Sequence, residues 1–183
     1  MKQQIEERMP AIETSSADIT NILSNVVSQY TKNLDEIMYG IERDILQVAN
    51  PAIYTIEQYF LNLSSCLYFM CEQVEKLGVY DSISKSKAQE TYNNRYLQYQ
   101  FDTTDKKKKP TVAELTAMAE NDALYDKTVN DLYNKAYKIV KNKVSAAETM
   151  ISTLSKILSH RVQESQMTMT QTGRRILNEE VVF

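Results

Sequence analysis

The chain has 183 residues, of which 43% are hydrophobic and 25% are charged, and its formal net charge at pH 7 is −3. Three glycines and three prolines are too few for the many turns of a sheet protein. Residues 1–10 lack the apolar run of a signal peptide, and no apolar stretch reaches the length of a membrane span. We therefore expect a cytoplasmic, all-α protein whose long amphipathic helices form an elongated bundle or coiled coil.

The first predicted helix begins near Ser15 or Ser16, which are suitable N-caps. Apolar residues then recur from residue 19 to residue 48 at about 3.6 residues per step, the period of a straight helix. Asn50-Pro51 should interrupt this helix, because the residue before a proline avoids helical backbone angles.

The second predicted helix carries apolar residues at alternating steps of three and four, the pattern of a helix that packs against another helix. Gly78 is expected to end it, since glycine commonly follows a last helical turn. Residues 1–80 are thus predicted to form an N-terminal helical hairpin for oligomerisation or partner binding. We call its apolar stripe the heptad seam and predict that it joins copies of the chain in a homo-oligomer: Ile53, Ile56, Phe60, Leu63, Leu67, Met70, Val74 and Leu77.

Basic and aromatic side chains alternate in residues 82–109, which carry 7 basic and 3 acidic residues, whereas residues 1–81 carry 5 basic and 12 acidic ones. A third helix, capped near Asp81, Ser82 or Ser84, would place several tyrosines on one face. Flat rings can stack on unpaired bases, and nearby cations can neutralise phosphates. The predicted nucleic-acid-binding residues of this segment are Lys85, Lys87, Tyr92, Arg95, Tyr96, Tyr99, Lys106, Lys107, Lys108 and Lys109.

Beyond the lysine run, Thr111 and Glu114 have the spacing of a capping box at the start of a short helix. Asn121-Asp122 should either break that helix or cap its successor. Apolar residues from residue 129 to residue 162 then predict a long amphipathic helix.

Two lysines of the long helix, Lys135 and Lys138, share a face and would lie beside the third helix if the two pack antiparallel. We therefore predict that residues 81–165 form a nucleic-acid-binding region that includes these two lysines. Residues 166–183 are predicted to be a flexible tail.

Residues that enzymes need are scarce in this sequence. His160 is the only histidine, and no glycine-rich phosphate loop is present. Cys66 and Cys71 are five residues apart, so a helix would point them in different directions. We expect a protein without enzymatic activity, cofactor or metal ion.

Two other functions of the protein remain open. The tyrosines can be core residues and the lysines a solvated loop, as in a structural or scaffolding coiled-coil protein. Alternatively, the acidic N-terminal helix can act on a protein partner, as in a small adaptor or inhibitor.

The order of these parts resembles the phage recombination mediators of the UvsY type over about residues 85–165. That family has a basic helix of the form Lys-Ala-Arg-Leu followed by Tyr-Tyr. Lys87-Ala88 and Tyr92 match this pattern, whereas Gln89 and Glu90 replace its arginine and apolar residue, and Asn93 replaces its second tyrosine. The similar order continues downstream with Arg95, Tyr96, Glu114-Leu115, Asp122, Leu132-Tyr133 and Arg161.

The resemblance implies a ring-like homo-oligomer that binds single-stranded DNA in a phage-infected bacterial cell. It also implies two protein partners, a recombinase that the protein helps to load and the single-strand-binding protein that it displaces. Recombination accessory activity is therefore the leading functional hypothesis.

Overall fold

The computed structural model describes the backbone of residues 2–102 and 110–179 and the side chains of residues 17–102 and 110–170. These residues form packed helices and no strand, which confirms the all-α prediction. The elements are α1 (Lys2–Ile41), a π-helical turn (Glu42–Leu46), α2 (Ile53–Asp102), α3 (Val112–Asp122) and α4 (Leu124–Glu179).

The interruption predicted at Asn50-Pro51 is confirmed, because helical structure stops after Leu46 and resumes at Ile53. The start predicted for α1 is wrong, since its backbone is helical from Lys2. The predicted tail is likewise helical as far as Glu179, at the end of α4.

α2 is one uninterrupted helix, so the helix end predicted at Gly78 is wrong. Gly78 instead allows close packing: a Cβ atom added there would lie 3.3 Å from the ring of Tyr137 on α4. The hydroxyls of Ser82 and Ser84 do not cap a new helix but donate to the carbonyls of Gly78 and Asp81, at 3.0 Å and 2.9 Å. Such bonds to the preceding turn are compatible with a continuous helix.

The heptad seam is covered by the chain's own helices. Ile56, Leu63 and Leu77 are fully buried, while Ile53 and Phe60 are half-buried. The other three members, Leu67, Met70 and Val74, are buried as well. The seam therefore supplies core contacts within a single chain and is not available as the predicted interface between copies. Self-association itself stays a prediction.

Local chemistry fixes the start of α3 as predicted. The Thr111 side chain accepts a hydrogen bond from the backbone N–H of Glu114, and the Glu114 carboxylate accepts one from the backbone N–H of Thr111. α3 ends at Asp122 and α4 begins at Leu124, so the Asn121-Asp122 dipeptide marks a break.

The chain divides into two compact units, Met1–Tyr30 with Cys71–Lys141 and Thr31–Met70 with Asn142–Phe183. Each unit combines residues from both sides of the boundary predicted at residue 80.

In the first unit, α2 and α4 pack antiparallel, which is the condition under which Lys135 and Lys138 were expected beside the third helix. Thr91 donates to Asp126 at 2.6 Å, and Asn134 donates to Asp81 at 3.1 Å. Contacts further along α2 are thus made with residues earlier in α4, as two antiparallel helices require.

In the second unit, α1 and α2 also pack antiparallel, with Asn33 near Cys66 and Gly40 beneath the ring of Tyr59. α4 joins them through Lys143, whose ammonium lies 2.6 Å from the Asp35 carboxylate.

Candidate nucleic-acid interface

The predicted tyrosines lie on the C-terminal part of α2, in the first unit. We call Tyr92, Tyr96 and Tyr99 the tyrosine face; all three are half-buried, and Ala88 one turn earlier is buried. The rings of Tyr92 and Tyr96 stack on each other, with centroids 6.3 Å apart and planes inclined by 29°. The helical spacing that predicted a shared face is therefore observed in the side chains.

Carboxylates of the chain contact this face. The hydroxyl of Tyr99 donates to Asp122, the last residue of α3, and the guanidinium of Arg95 lies 3.5 Å from the same carboxylate. The hydrogen bond to Asp122 raises the pKa of Tyr99 above its ordinary value. The C-terminal end of the face is thus engaged in intramolecular polar contacts and presents negative charge.

The N-terminal end of the face has a different character because of Lys127, which is not among the residues predicted from the sequence. Its ammonium lies 5.7 Å from the centroid of the Tyr92 ring and 3.6 Å from the Glu120 carboxylate. A cation over a tyrosine ring is attracted by the negative potential of the ring face. The Thr91–Asp126 pairing positions Lys127, and that register is not readable from local sequence.

A surface hollow of about 280 Å³ lies at this end, and we call it the Tyr92 hollow. Its lining combines two lysines, one aromatic ring and two amide side chains with a single carboxylate: Lys85, Ala88, Gln89, Tyr92, Glu120, Lys127 and Asn130. Both lysines are exposed. The arrangement places two positive charges and hydrogen-bonding amides beside a ring, which suits a phosphate and an unpaired base.

Lys87 does not belong to this hollow. It is exposed and lines a separate groove with Tyr137, together with the carboxylates of Glu75, Asp81 and Glu90. Three carboxylates beside one lysine make this groove a poor site for a polyanion.

Lys135 and Lys138 are also exposed but lie far from the tyrosine face. Asp81 packs opposite Asn134, and Gly78 opposite Tyr137, so these lysines are level with about residues 77–80 of α2. At 1.5 Å per residue, that level is on the order of 20 Å from Tyr92. The structure therefore does not bring them together with the tyrosines.

The four consecutive lysines, Lys106, Lys107, Lys108 and Lys109, lie outside the described residues. Within the described part of the chain, no group of three or more His, Cys, Asp or Glu side chains could hold a metal ion. None of the described helices is both long and apolar enough to cross a membrane.

Comparison with protein-family models, with curated proteins and with solved structures finds no match to this chain. Any functional assignment therefore depends on the residues themselves and on the resemblance that they carry.

Proposed function

We propose that this chain is a non-enzymatic, single-stranded DNA-binding accessory protein of recombination. The observation that supports the proposal most directly is the Tyr92 hollow, where Lys85 and Lys127 flank one tyrosine ring. Proteins that hold single strands without reading their sequence combine these two elements, cations for the backbone and rings for the bases.

In this mechanism the two lysines neutralise neighbouring phosphates while a base stacks on or beside Tyr92. The Lys127–Glu120 pair does not prevent this, because both side chains are largely exposed, and exposed ion pairs contribute only about 0–1 kcal/mol. Lys127 can therefore exchange its carboxylate partner for a phosphate. Asp122, which accepts the hydrogen bond of Tyr99, repels phosphates from the C-terminal end of the tyrosine face, so the strand would run past its N-terminal end.

A single hollow of this size offers few contacts and would bind weakly alone. Several copies on one strand would raise the overall affinity, because each further contact becomes intramolecular. The resemblance to the UvsY-type mediators adds the biological role to this proposal. In that role the assembled protein displaces a single-strand-binding protein and helps a recombinase to load.

The experiment is a salt titration of binding to a labelled oligothymidine, followed by fluorescence anisotropy. Each lysine that meets a phosphate adds about 0.7 to the magnitude of the log–log salt slope. Lys85→Gln and Lys127→Gln should each reduce the slope by about that amount. Lys156→Gln removes an exposed lysine of the second unit and serves as the matched control.

Replacing Lys106–Lys109 by alanine in the same assay measures the contribution of the lysine run separately. If the wild-type chain shows no salt-sensitive binding, the proposal fails. Equal slopes for the wild type and both hollow variants would instead remove the Tyr92 hollow from the mechanism.

A structural scaffold is the second candidate. The contacts of Tyr99 with Asp122 and of Thr91 with Asp126 favour it, because they use the tyrosine-bearing side of α2 to hold α3 and α4. On this interpretation, tyrosine variants would melt at lower temperatures while the lysine variants would behave as wild type.

A further inference from the structure

α2 carries a second apolar stripe, which the heptad seam does not include. Tyr54, Leu61 and Tyr68 are spaced seven residues apart in the second unit and are 70%, 60% and 77% exposed. We call these three residues the outer face. They lie roughly half a helical turn around from buried Leu63 and Leu67, so they point away from the chain's own core.

Phe69 borders the outer face and extends it. Its ring meets that of Tyr68 edge-on with centroids 5.3 Å apart, and it is 65% exposed. Apolar residues on opposite sides are typical of a helix that other elements cover on both sides. Among the residues whose side chains the structure describes, only the side that carries the heptad seam is covered.

We propose that the outer face binds the outer face of a second copy, with the two α2 helices antiparallel and a two-fold axis passing beside Leu61. The spacing is what identifies the occupant. Tyr-x6-Leu-x6-Tyr reads the same in both directions, so a two-fold axis places Leu61 against its own equivalent. The same axis sets each Tyr54 against Tyr68 of the other copy, and every apolar residue of the face then meets an apolar residue.

Charge favours this antiparallel arrangement over a parallel one. Glu57 is the only charged residue between Tyr54 and Phe69. In the antiparallel pair it faces Ser65 of the other copy, and the two Glu57 side chains are roughly 12 Å apart along the axis, beyond the screening length of about 8 Å in physiological salt. A parallel pair in register would instead place one Glu57 beside the other, which is unfavourable.

The area is sufficient for a specific contact. Aromatic side chains bury about 150–250 Å² each, so the exposed surfaces of Tyr54, Tyr68, Phe69 and Leu61 amount to roughly 500 Å² per copy. About 1,000 Å² in total is the lower range of specific protein–protein interfaces. We therefore expect a reversible dimer whose population rises with protein concentration.

The first test measures mass by sedimentation equilibrium, without nucleic acid, so that its result is separate from the DNA-binding proposal. The wild type should approach twice the chain mass as concentration rises, and Leu61→Lys should stay monomeric, with the wild-type melting temperature at concentrations where the wild type is also monomeric. Tyr39→Lys places the same charge at an exposed aromatic residue of α1 in the same unit and should dimerise as wild type does.

The second test determines orientation by oxidative cross-linking in a Cys71→Ser background, in which Cys66 is buried. Leu61→Cys should form a disulfide-linked dimer, and so should the Tyr54→Cys, Tyr68→Cys double variant. Tyr54→Cys alone should not, because its equivalent lies two heptads away across the antiparallel pair. A wild type that remains monomeric at its highest soluble concentration, or efficient cross-linking of Tyr54→Cys alone, would overturn the proposal.

Discussion

The heptad seam and the tyrosine face both lie on α2, and both were predicted from residues spaced at steps of three and four. In the structure they differ in what covers them. Leu63 and Leu77 of the seam are completely buried, whereas Tyr92 and Tyr96 are half-buried and Tyr99 bonds to a carboxylate.

The difference follows from the chemistry of the side chains. Leucine and isoleucine gain most when all of their surface leaves water. A tyrosine hydroxyl must keep a hydrogen-bond partner, so its ring packs at the edge of a core and its polar end meets solvent or another polar group. Periodicity therefore identifies a face of a helix, and composition indicates how deeply that face is buried.

The largest effect in this comparison is expected at the seam. Leu63→Ala should lower the free energy of unfolding by about 2–5 kcal/mol, because it removes a completely buried side chain and leaves a cavity. Leu61→Ala makes the same chemical change two residues away, where the side chain is 60% exposed, and should stay within about 0.5 kcal/mol of wild type. Urea denaturation at a protein concentration low enough to keep the chain monomeric measures both. Similar losses for the two variants would contradict the assignment of inner and outer sides to α2.

The features of the fold that were predictable depend on neighbouring residues. The interruption at Asn50-Pro51 follows from the steric demands of proline, and the capping box of Thr111 and Glu114 follows from hydrogen bonds three residues apart. The error at Gly78 has the opposite origin. Glycine ends helices when its backbone turns left-handed, but here the ring of Tyr137, distant in sequence, occupies the space of the absent side chain.

The candidate site shows the same limit. Lys85 and Tyr92 were predictable because one helix carries both. Lys127 and Asp122 were not, since their positions beside the tyrosines depend on how α4 and α3, respectively, pack against α2. The heptad seam was correctly identified as a packing surface, but its spacing could not distinguish a partner helix in the same chain from one in another copy.

The next largest effect tests whether the tyrosine face binds a base. Tyr92→Ala should weaken binding of single-stranded DNA by about 1–3 kcal/mol if the ring stacks on a base. It should leave the salt slope unchanged, because no charge is removed. Tyr137→Ala is the matched control, since that ring also lies near a lysine, Lys141, at 5.7 Å but outside the Tyr92 hollow. Anisotropy titrations at several salt concentrations compare the affinity and the salt slope of the three proteins, and equal losses of affinity for both variants would indicate a general loss of stability.

A smaller loss of stability is expected when one hydrogen bond on the tyrosine-bearing side of α2 is removed and the tyrosine rings are left in place. Thr91→Val keeps the shape of the side chain but removes the hydroxyl that donates to Asp126, and should cost about 1 kcal/mol of stability. Thr91→Ser keeps the hydroxyl and should lose less. Thermal melts of the two variants decide the matter: if valine is tolerated as well as serine, the contact between α2 and α4 at this turn depends on packing alone.

The smallest effect is a pH dependence at Tyr99. Its hydrogen bond to Asp122 raises the pKa of the phenol above the ordinary 10.0, so the folded chain holds this proton more tightly than the unfolded chain does. The stabilisation is therefore fully present below about pH 10 and is lost as the pH rises through the higher pKa of the folded state. Thermal melts should show wild type more stable than Tyr99→Phe by a constant margin near neutral pH, and the margin should close in alkaline solution. Tyr125→Phe, at a 78% exposed position of α4, controls for the removal of one phenol. Asp122 retains Arg95 at 3.5 Å in the phenylalanine variant, which limits the size of the effect. A Tyr99→Phe variant as stable as wild type near neutral pH would show that the Tyr99 ring, and not its hydroxyl, holds α3 against α2, and a margin that stays constant into strongly alkaline solution would contradict the raised pKa.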